Sequence, residues 1–323
     1  DNRTLRRVLV DNTTELMTWL ESLGVVFAGP QIEPPHRVPR MHNVVPNSRA
    51  FPAMLGRECQ RLGVQVRLGA VASELIVEDG RVTGVRLSDG EELRAVGGVV
   101  LAGGDYSANA ELRVRFAGEE KAGLEAVNPT ATGGAIAMAL ALGCEVLNGD
   151  LMSGPTMRFV PPARESLVRR LPPNPWLGKT VRWAMNNLPG GVQRPFAMSF
   201  LTTALGVSRD LFAAGAILVN KQGKRFCDEQ AQPAAEVTKQ PDRLAYVLLD
   251  GDLARRFTAW PNFVSTAPGI AYAYLQDYRR NRKDIFHEAP DIGRLATKLR
   301  LPSDALAESC LLYTSDAADD VHR

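Results

Sequence analysis

The stretch of sequence that decides the fold reads GAILVNKQGKRFCDE and covers residues 215–229. Residues 216–219 form a short apolar run of the kind that makes a buried strand, and Asn220 and Gly223 enclose a tight turn. Residues 224–226 then make the return arm, so the stretch predicts a β-hairpin that ends in charged residues. Short apolar runs followed by Asn and Gly also occur in ordinary surface hairpins, and periodicity alone favours that simpler interpretation.

The composition is typical of a globular chain with a substantial core. The chain has 323 residues, of which 45% are hydrophobic, and a formal net charge of +2. This charge is too small to indicate a nucleic-acid-binding protein. No apolar run approaches the roughly 20 residues that span a bilayer. The cysteines and histidines are scattered without the spacing of a metal site or a disulfide framework, so we expect no bound metal and a reducing, cytoplasmic setting.

The first part of the chain predicts helices separated by a loop. Residues 12–23 predict a helix with one buried stripe, and residues 51–62 predict a second amphipathic helix. Between them, the Pro-rich residues 30–46 predict a long loop, which either lines the substrate side of a site or is a solvated basic loop. Its charged or titratable residues are His36, Arg37, Arg40 and His42.

A sheet is predicted next. Residues 64–68 alternate as a half-buried strand does, and a β-meander with Asp-Gly turns follows. The strands of this meander are residues 74–77, 82–87 and 92–95. The apolar residues 99–101 then predict a buried parallel strand, and the small residues after them let another group approach the backbone closely.

Residues 215–229 resemble a segment of the FAD-dependent oxidoreductase 2 family, which contains fumarate reductase and succinate dehydrogenase flavoproteins and 3-ketosteroid dehydrogenases. In that family the segment lies in a capping domain that closes over the flavin. Three further stretches are similar to family segments: VVLAGGDYSAN at 99–109, TGGAIAMA at 132–139, and the helix pair at 285–309. The resemblance covers approximately residues 10–309. It implies a mixed α/β and α+β fold, with a glutathione-reductase-type FAD-binding domain that contains the β-meander, and an α+β capping domain.

The resemblance implies FAD as the cofactor and a set of residues beside it. In the helix start at 132–139, Gly134 and Ala135 stand where the family has an Asp and a second Gly, so one side-chain contact is missing. The N-terminus of a helix there still favours phosphate or flavin oxygens. The implied cofactor residues are Ala72, Ala102, Gly103, Gly104, Asp105, Asn109, Thr132, Gly133 and Gly134.

Two family signatures are missing from the sequence: the G-x-G-x-x-G loop that cradles the pyrophosphate, and a later segment that returns to the flavin. We therefore expect an incomplete FAD-binding domain at residues 1–156, a capping domain at 157–309, and an internal fragment that binds FAD poorly. Residues 310–323 resemble the translation of a transposon-end sequencing adapter. We expect them to interrupt the preceding helix, and we leave them out of the fold prediction.

The implied reaction transfers hydride between the flavin and a carbon–carbon bond of a small organic substrate, while a protein group moves a proton. The fumarate reductase residues for this work align with Gly154, Arg209 and Pro233, which makes C4-dicarboxylate chemistry doubtful. Two alternatives stay open: a 3-ketosteroid Δ1-dehydrogenase-like enzyme, although its tyrosine is missing, and a non-catalytic fragment or binding module without FAD. The electron partner is unknown. The catalytic candidates are Arg209, Arg225 and Glu229, with Asp228, Tyr272 and Tyr274 behind them.

Residues 157–209 are strongly basic, with Glu165 as the single acidic residue. This stretch could guide an anionic or amphipathic substrate, rest on a membrane surface, or simply be a solvated basic face. Its basic residues are Arg158, Arg164, Arg169, Arg170, Lys179, Arg182, Arg194 and Arg209.

Overall fold

The computed structural model describes residues 2–31, 37–152, 154–163, 170–202, 206–267 and 271–319. They form a mixed α/β structure. The helices are α1 Arg3–Ser22, α2 Ala50–Arg61, α3 Ala110–Ala117, α4 Gly134–Ala141, α5 Pro175–Asn187, α6 Gly190–Leu201, α7 Arg209–Ala213, α8 Pro233–Thr238, α9 Gly251–Arg256, α10 Leu275–Asn281, α11 Ile292–Leu299 and α12 Ser303–Asp319. The strands are β1 Val26–Gln31, β2 Met41–Val45, β3 Ala72–Glu78, β4 Arg81–Leu87, β5 Glu92–Arg94, β6 Ile217–Val219, β7 Tyr246–Leu248, β8 Ser265–Ala267 and β9 Ala271–Ala273. Within the described ranges, no helix has both the length and the apolar character needed to cross a membrane.

The chain divides into two compact units, one of residues Gln65–Pro155 and one of residues Asp1–Val64 with Thr156–Arg323. Residues 1–64 therefore group with the C-terminal part of the chain, which differs from their expected place beside the meander. The reason is the packing of α5 on the β1–β2 hairpin. Val181 and Met185 of α5 pack against a buried cluster of Val26, Ala28 and Val45.

The unit of residues 65–155 contains the predicted meander, and its three strands are confirmed as one antiparallel sheet in the order β3-β4-β5. The turn between β3 and β4 uses Asp79 and Gly80, both with positive φ. Arg86 forms ion pairs with Glu74 and Glu92 across the sheet. These pairs are exposed, so they add little stability and serve mainly to keep the outer face of the sheet charged.

The expected strands at residues 64–68 and 99–101 are wrong, because the structure places neither segment in a strand and residue 68 lies in a turn. Val66 and Leu68 are exposed, and Val100 is 90% exposed. A strand needs a neighbour to receive its backbone hydrogen bonds, and none of the described strands of this unit pairs with either segment. The apolar character that predicted burial is present, but nothing in the described part of the unit covers it.

In the larger unit, the turn predicted within residues 215–229 is confirmed. Gly223 N donates to Asn220 O at 3.0 Å, and Asn220 N donates to Lys224 O at 3.0 Å. The return arm is not a strand, however, and β6 pairs instead with β7. The arm meets β6 only at a single bridge between Val219 and Arg225. Next to that bridge, the hydrogen bond of Leu218 N goes to a side chain instead of a strand, because the Glu229 carboxylate accepts it.

The expected helix pair near the C-terminal end is present as α11 and α12. Ala296 of α11, Leu306 of α12 and Leu301 between the two helices are buried and pack with β6 residues Ile217 and Val219. The expected interruption at residue 310 is wrong, because α12 is continuous from Ser303–Asp319. Its sequence contains neither Pro nor Gly, the residues that most often end a helix.

The predicted loop at residues 30–46 is also wrong in part. Its second half contains β2, which pairs antiparallel with β1 from Val26 opposite Val45. The sequence of Met41–Val45 does not alternate between polar and apolar residues, so it gave no strand signal among the prolines. His42 lies on β2 with its ring edge toward Phe27, at a centroid distance of 6.4 Å. Arg37 and Arg40 are exposed, and His36 lies outside the described residues.

Candidate functional site

The candidate cofactor site lies in the unit of residues 65–155, where the loop leading into α3 meets the loop leading into α4. Ala108 N donates a hydrogen bond to Ala131 O at 2.8 Å. Asn109 Nδ2 donates to Thr132 O at 3.0 Å, while Asn109 Oδ1 accepts from Leu112 N at 3.0 Å. Asn109 therefore both caps α3 and ties the two loops together.

Gly133 is required by the packing of this junction. It has a φ of +71°, and a Cβ placed on it would lie 2.6 Å from Leu112 Cδ1 and 2.7 Å from Tyr106 Cβ. Tyr106 is itself held by a hydrogen bond from its hydroxyl to Gly149 O and by ring contact with Phe116. Any side chain at residue 133 would therefore collide with fixed neighbours.

A second close approach brings the backbone of residues 102–105 against the start of α4. A Cβ on Gly103 would lie 2.9 Å from the Cβ of Ala135. Gly104 and Gly134, in contrast, have open space beside them, because a Cβ on either would meet no atom within 4 Å. We call residues 102–105 and 132–135 the glycine shelf. It presents exposed backbone, with open space beside Gly104 and Gly134.

The glycine shelf contains the N-terminus of α4, whose first backbone N–H groups have no partner inside the helix. Among the described residues, no side chain caps this helix at Gly133. These donors, together with the helix dipole, favour a negatively charged or strongly accepting group. Asp105 is nearby in sequence, but its Oδ1 accepts from Ser107 N at 2.7 Å. Hydrogen bonds from Ser107 hold the pKa of the Asp105 carboxyl below its ordinary value.

The structure brings together all the predicted cofactor residues except Ala72. Those in the two loops are Ala102, Gly103, Gly104, Asp105, Asn109, Thr132, Gly133 and Gly134. Ala72 begins β3, where it pairs with Leu87, and α4 packs beside that strand. The geometry fits a flat, acceptor-rich group resting on backbone. It offers no metal site, since no group of three or more His, Cys, Asp or Glu side chains among the described residues could hold an ion.

A buried arginine close to this junction had no signal in the sequence. Arg113 on α3 is buried, and its guanidinium donates to Ser107 O and Ala122 O. Its Nε is buried and has no hydrogen-bond partner among the described residues. Because its acceptors are backbone carbonyls of two separate loops, Arg113 fixes the loop before α3 to the segment after it.

In the larger unit, two catalytic candidates are paired with each other. Glu229 is 6% exposed, and Arg225 Nη2 donates to Glu229 Oε2 at 2.8 Å. Glu229 Oε1 accepts from Leu218 N at 2.8 Å, and Arg225 N donates to Ser309 Oγ at 3.1 Å. The Glu229 carboxylate thus joins β6 to the Arg225 side chain of the return arm, and the Arg225 backbone N–H joins the return arm to α12.

The third candidate, Arg209, is different. It is the first residue of α7, its side chain is exposed, and it makes no hydrogen bond or ion pair to the rest of the described chain. Tyr274 lies under Arg194, whose guanidinium carbon is 5.0 Å from the ring centroid. Tyr272 belongs to an aromatic cluster with Trp260 and Phe263. Asp228 accepts a hydrogen bond from the backbone of residue 230.

Sequence reasoning also missed a buried polar cluster in this unit. Arg282 is buried and donates to Thr202 O at 2.7 Å and to Asp284 Oδ1 at 2.9 Å. This hydrogen bonding lowers the pKa of Asp284. The hydroxyls of Ser265 and Tyr278 share a hydrogen bond of 2.7 Å, and burial raises the pKa of Tyr278 to about 12. No local pattern marks this cluster, since Thr202 is 80 residues from Arg282 in the sequence.

Comparison with known proteins defines the class to which this site belongs. Residues 1–167 of the 323-residue chain match the model of a family described as FAD binding domain. This matched region includes the whole glycine shelf. The chain therefore belongs to the FAD binding domain family, and FAD is the cofactor of that family. The resemblance to the FAD-dependent oxidoreductase 2 family is confirmed.

Two curated relatives are oxidoreductases by name. A 3-oxosteroid 1-dehydrogenase of Mycobacterium tuberculosis is 29% identical over 310 residues, covering 87% of this chain and 46% of that protein. A probable fumarate reductase of Shewanella frigidimarina is 24% identical over 259 residues, covering 77% of this chain and 37% of that protein. The chain therefore spans less than half the length of either relative.

The fold has a counterpart among solved structures. The open conformation of a flavocytochrome c3 fumarate reductase superposes with a TM-score of 0.57 at 19% identity, covering 96% of this chain and 46% of that one. At this identity the likeness establishes the fold alone. It shows that the mixed α/β arrangement described here occurs in a flavoprotein.

Proposed function

We propose that this chain is part of an FAD-dependent oxidoreductase that transfers hydride between the flavin and a carbon–carbon bond of a small organic substrate. The observation that carries the proposal is the glycine shelf. It combines an uncapped helix N-terminus with open backbone at Gly104 and Gly134, inside the region that matches the FAD binding domain. The family membership and the oxidoreductase relatives support the reaction class.

The chain's own contribution is binding and orientation. The first N–H groups of α4 would donate to phosphate or flavin oxygens. Asn109 holds the two loops of the shelf together through its hydrogen bond to Thr132 O. The backbone at Ala72 is the proposed neighbour of the adenine. When bound, FAD supplies the hydride chemistry, so the protein needs only to position it and to move a proton.

For proton transfer, we propose Arg209 ahead of Arg225 and Glu229. The latter two satisfy each other and the backbone of β6, whereas Arg209 is exposed at the start of α7. Pro233 and Gly154 carry no proton donor where fumarate reductases have one, which argues against a C4-dicarboxylate substrate. A 3-ketosteroid dehydrogenase-like activity is the second candidate, favoured by the 29% identity over 310 residues.

We further propose that the flavin-binding part is of the glutathione-reductase type, that residues 157–309 serve as the cap, and that the chain is a piece of a longer enzyme. Val66, Leu68 and Val100 support the last of these proposals. Their apolar side chains are exposed here, although residues of this kind are normally buried in a sheet. FAD binding by the chain alone should be weak without a pyrophosphate cradle. The free thiols of all four cysteines suit the reducing cytoplasm.

The test is titration of the chain with FAD, followed by quenching of flavin fluorescence. Gly134→Val places a side chain in the open space of the shelf, while Gly97→Val is a matched control, since a Cβ there also meets no atom within 4 Å. We expect Gly134→Val to weaken binding by about tenfold or more and Gly97→Val to leave it unchanged. Equal binding by all three proteins would overturn the shelf as the cofactor site. If no flavin binds to the chain, the same titration on the full-length enzyme separates the two interpretations, because a fragment predicts flavin in the full-length protein and a non-catalytic module predicts none.

A further inference from the structure

Helix α5 already uses one face for the core of its unit. A Cβ on Gly178 would lie 2.8 Å from Val45 O and 3.0 Å from Val26 Cβ, so the helix backbone lies directly on the β1–β2 hairpin. Val181 and Met185, on the same side, pack against that hairpin. This inward face accounts for the local core, and the apolar residues on the opposite side need another explanation.

The outward face of α5 carries two tryptophans. Trp176 and Trp183 lie seven residues apart, on the same side of the helix, and are 73% and 59% exposed. Lys179 lies one turn from each of them and is also exposed. We call Trp176, Lys179 and Trp183 the tryptophan face. Two large exposed aromatic side chains on one helix face are uncommon unless something binds there.

The stretch of sequence that contains the tryptophan face is basic. Residues 170–202 contain four basic side chains and no acidic one. Arg194 is paired with Asp277 at 2.5 Å. Arg170, Lys179 and Arg182 have no ion-pair partner in the part of the chain that the structure describes. The face therefore combines aromatic side chains with uncompensated positive charge.

We propose that the tryptophan face binds an anionic lipid surface, with α5 lying in the plane of the headgroups. Tryptophan beside lysine and arginine on one helix is the pattern of interfacial helices, and anionic lipids complement its charge. A helix of 13 residues is well short of the roughly 20 needed to span a bilayer. A second copy of the chain fits less well, because a symmetric contact would bring Lys179 and Arg182 toward their own copies.

The test is flotation of the full chain with two kinds of vesicle, phosphatidylcholine alone and phosphatidylcholine mixed with phosphatidylglycerol. We expect binding to the anionic vesicles, with weakening by salt and a blue shift of tryptophan fluorescence. The double variant Trp176→Ser/Trp183→Ser should lose about tenfold or more of that binding, and Lys179→Glu should weaken it in the same direction. The control is Trp260→Ser, which removes a tryptophan that is 63% exposed elsewhere in the same unit.

Circular dichroism melts establish that each variant is folded, since both tryptophans are exposed and their loss leaves the core intact. Equal binding to neutral and anionic vesicles, or unchanged binding by the double variant, would contradict the proposal. So would a wild-type chain that stays with neither vesicle but forms dimers that the double variant abolishes, because the face would then be a self-association surface. None of these outcomes depends on whether the chain binds FAD.

Discussion

The ion pair between Arg225 and Glu229 gives the sharpest prediction on stability, through the variant Glu229→Ala. Removing the carboxylate breaks its ion pair with the Arg225 guanidinium and takes the acceptor from the Leu218 N–H. Breaking a buried pair costs about 3 to 5 kcal/mol, but the Arg225 side chain is 27% exposed, which reduces this to about 2 kcal/mol. The unsatisfied N–H adds about 1 kcal/mol. The expected loss in the free energy of unfolding is therefore about 3 kcal/mol.

The assay is urea unfolding followed by tryptophan fluorescence. All four tryptophans lie in the same compact unit as Glu229, so the signal reports on that unit. Glu236→Ala is the control, because Glu236 also pairs with a basic side chain but the pair is largely exposed, and its loss should cost under about 1 kcal/mol. The double variant Arg225→Ala/Glu229→Ala should recover part of the loss, since both charges of the broken ion pair are then absent. If Glu229→Ala costs no more than Glu236→Ala, the reasoning about β6 fails.

Three other predictions concern stability and the reactivity of the cysteines. Gly133→Val should destabilise the unit of residues 65–155 by about 2 kcal/mol or more, seen as a lower melting temperature, because of the positive φ and the clash with Leu112 and Tyr106; an unchanged melt would contradict that packing. Cys144, which is exposed, should react with maleimide at neutral pH well before Cys227, whose pKa burial raises to about 11; faster labelling of Cys227 would refute this. Stability should fall as pH rises from 10 toward 12, since Tyr278 keeps its proton in the folded state, where its pKa is about 12, while the unfolded state loses it; a Tyr278→Phe chain with the same decline would exclude Tyr278 as the cause.

The parts of the fold that local chemistry determines could be predicted from the sequence. The meander followed from Asp-Gly turns and alternation, and the turn at Asn220 and Gly223 followed from residues that favour tight turns. The return arm after that turn could not be predicted in the same way. Its backbone is held by Ser309, more than 80 residues away in the sequence, and the neighbouring edge of β6 is held by Glu229. Contacts of this kind leave no periodic pattern.

The candidate site likewise contains residues that the sequence could predict and residues that it could not. The loops of the glycine shelf were found because their Gly-rich strings resemble a family, and the structure then explains Gly133 by a close contact that no composition argument contains. Arg113 and Arg282 were missed, because a buried arginine that donates to backbone carbonyls looks in the sequence like any surface arginine. The apolar residues 99–101 show the opposite error, since an apolar run predicts burial only when a neighbouring element is there to cover it.

We propose that this chain binds FAD at the glycine shelf. Hydrogen exchange followed by mass spectrometry, with and without FAD, tests it directly, because the unbonded N–H groups at the start of α4 exchange freely unless a ligand accepts from them. We expect slower exchange on adding FAD in peptides that cover residues 102–109 and 132–138, with no change in peptides that cover residues 215–229. Unchanged exchange in the two shelf peptides under conditions where FAD binds, or protection confined to other parts of the chain, would contradict it.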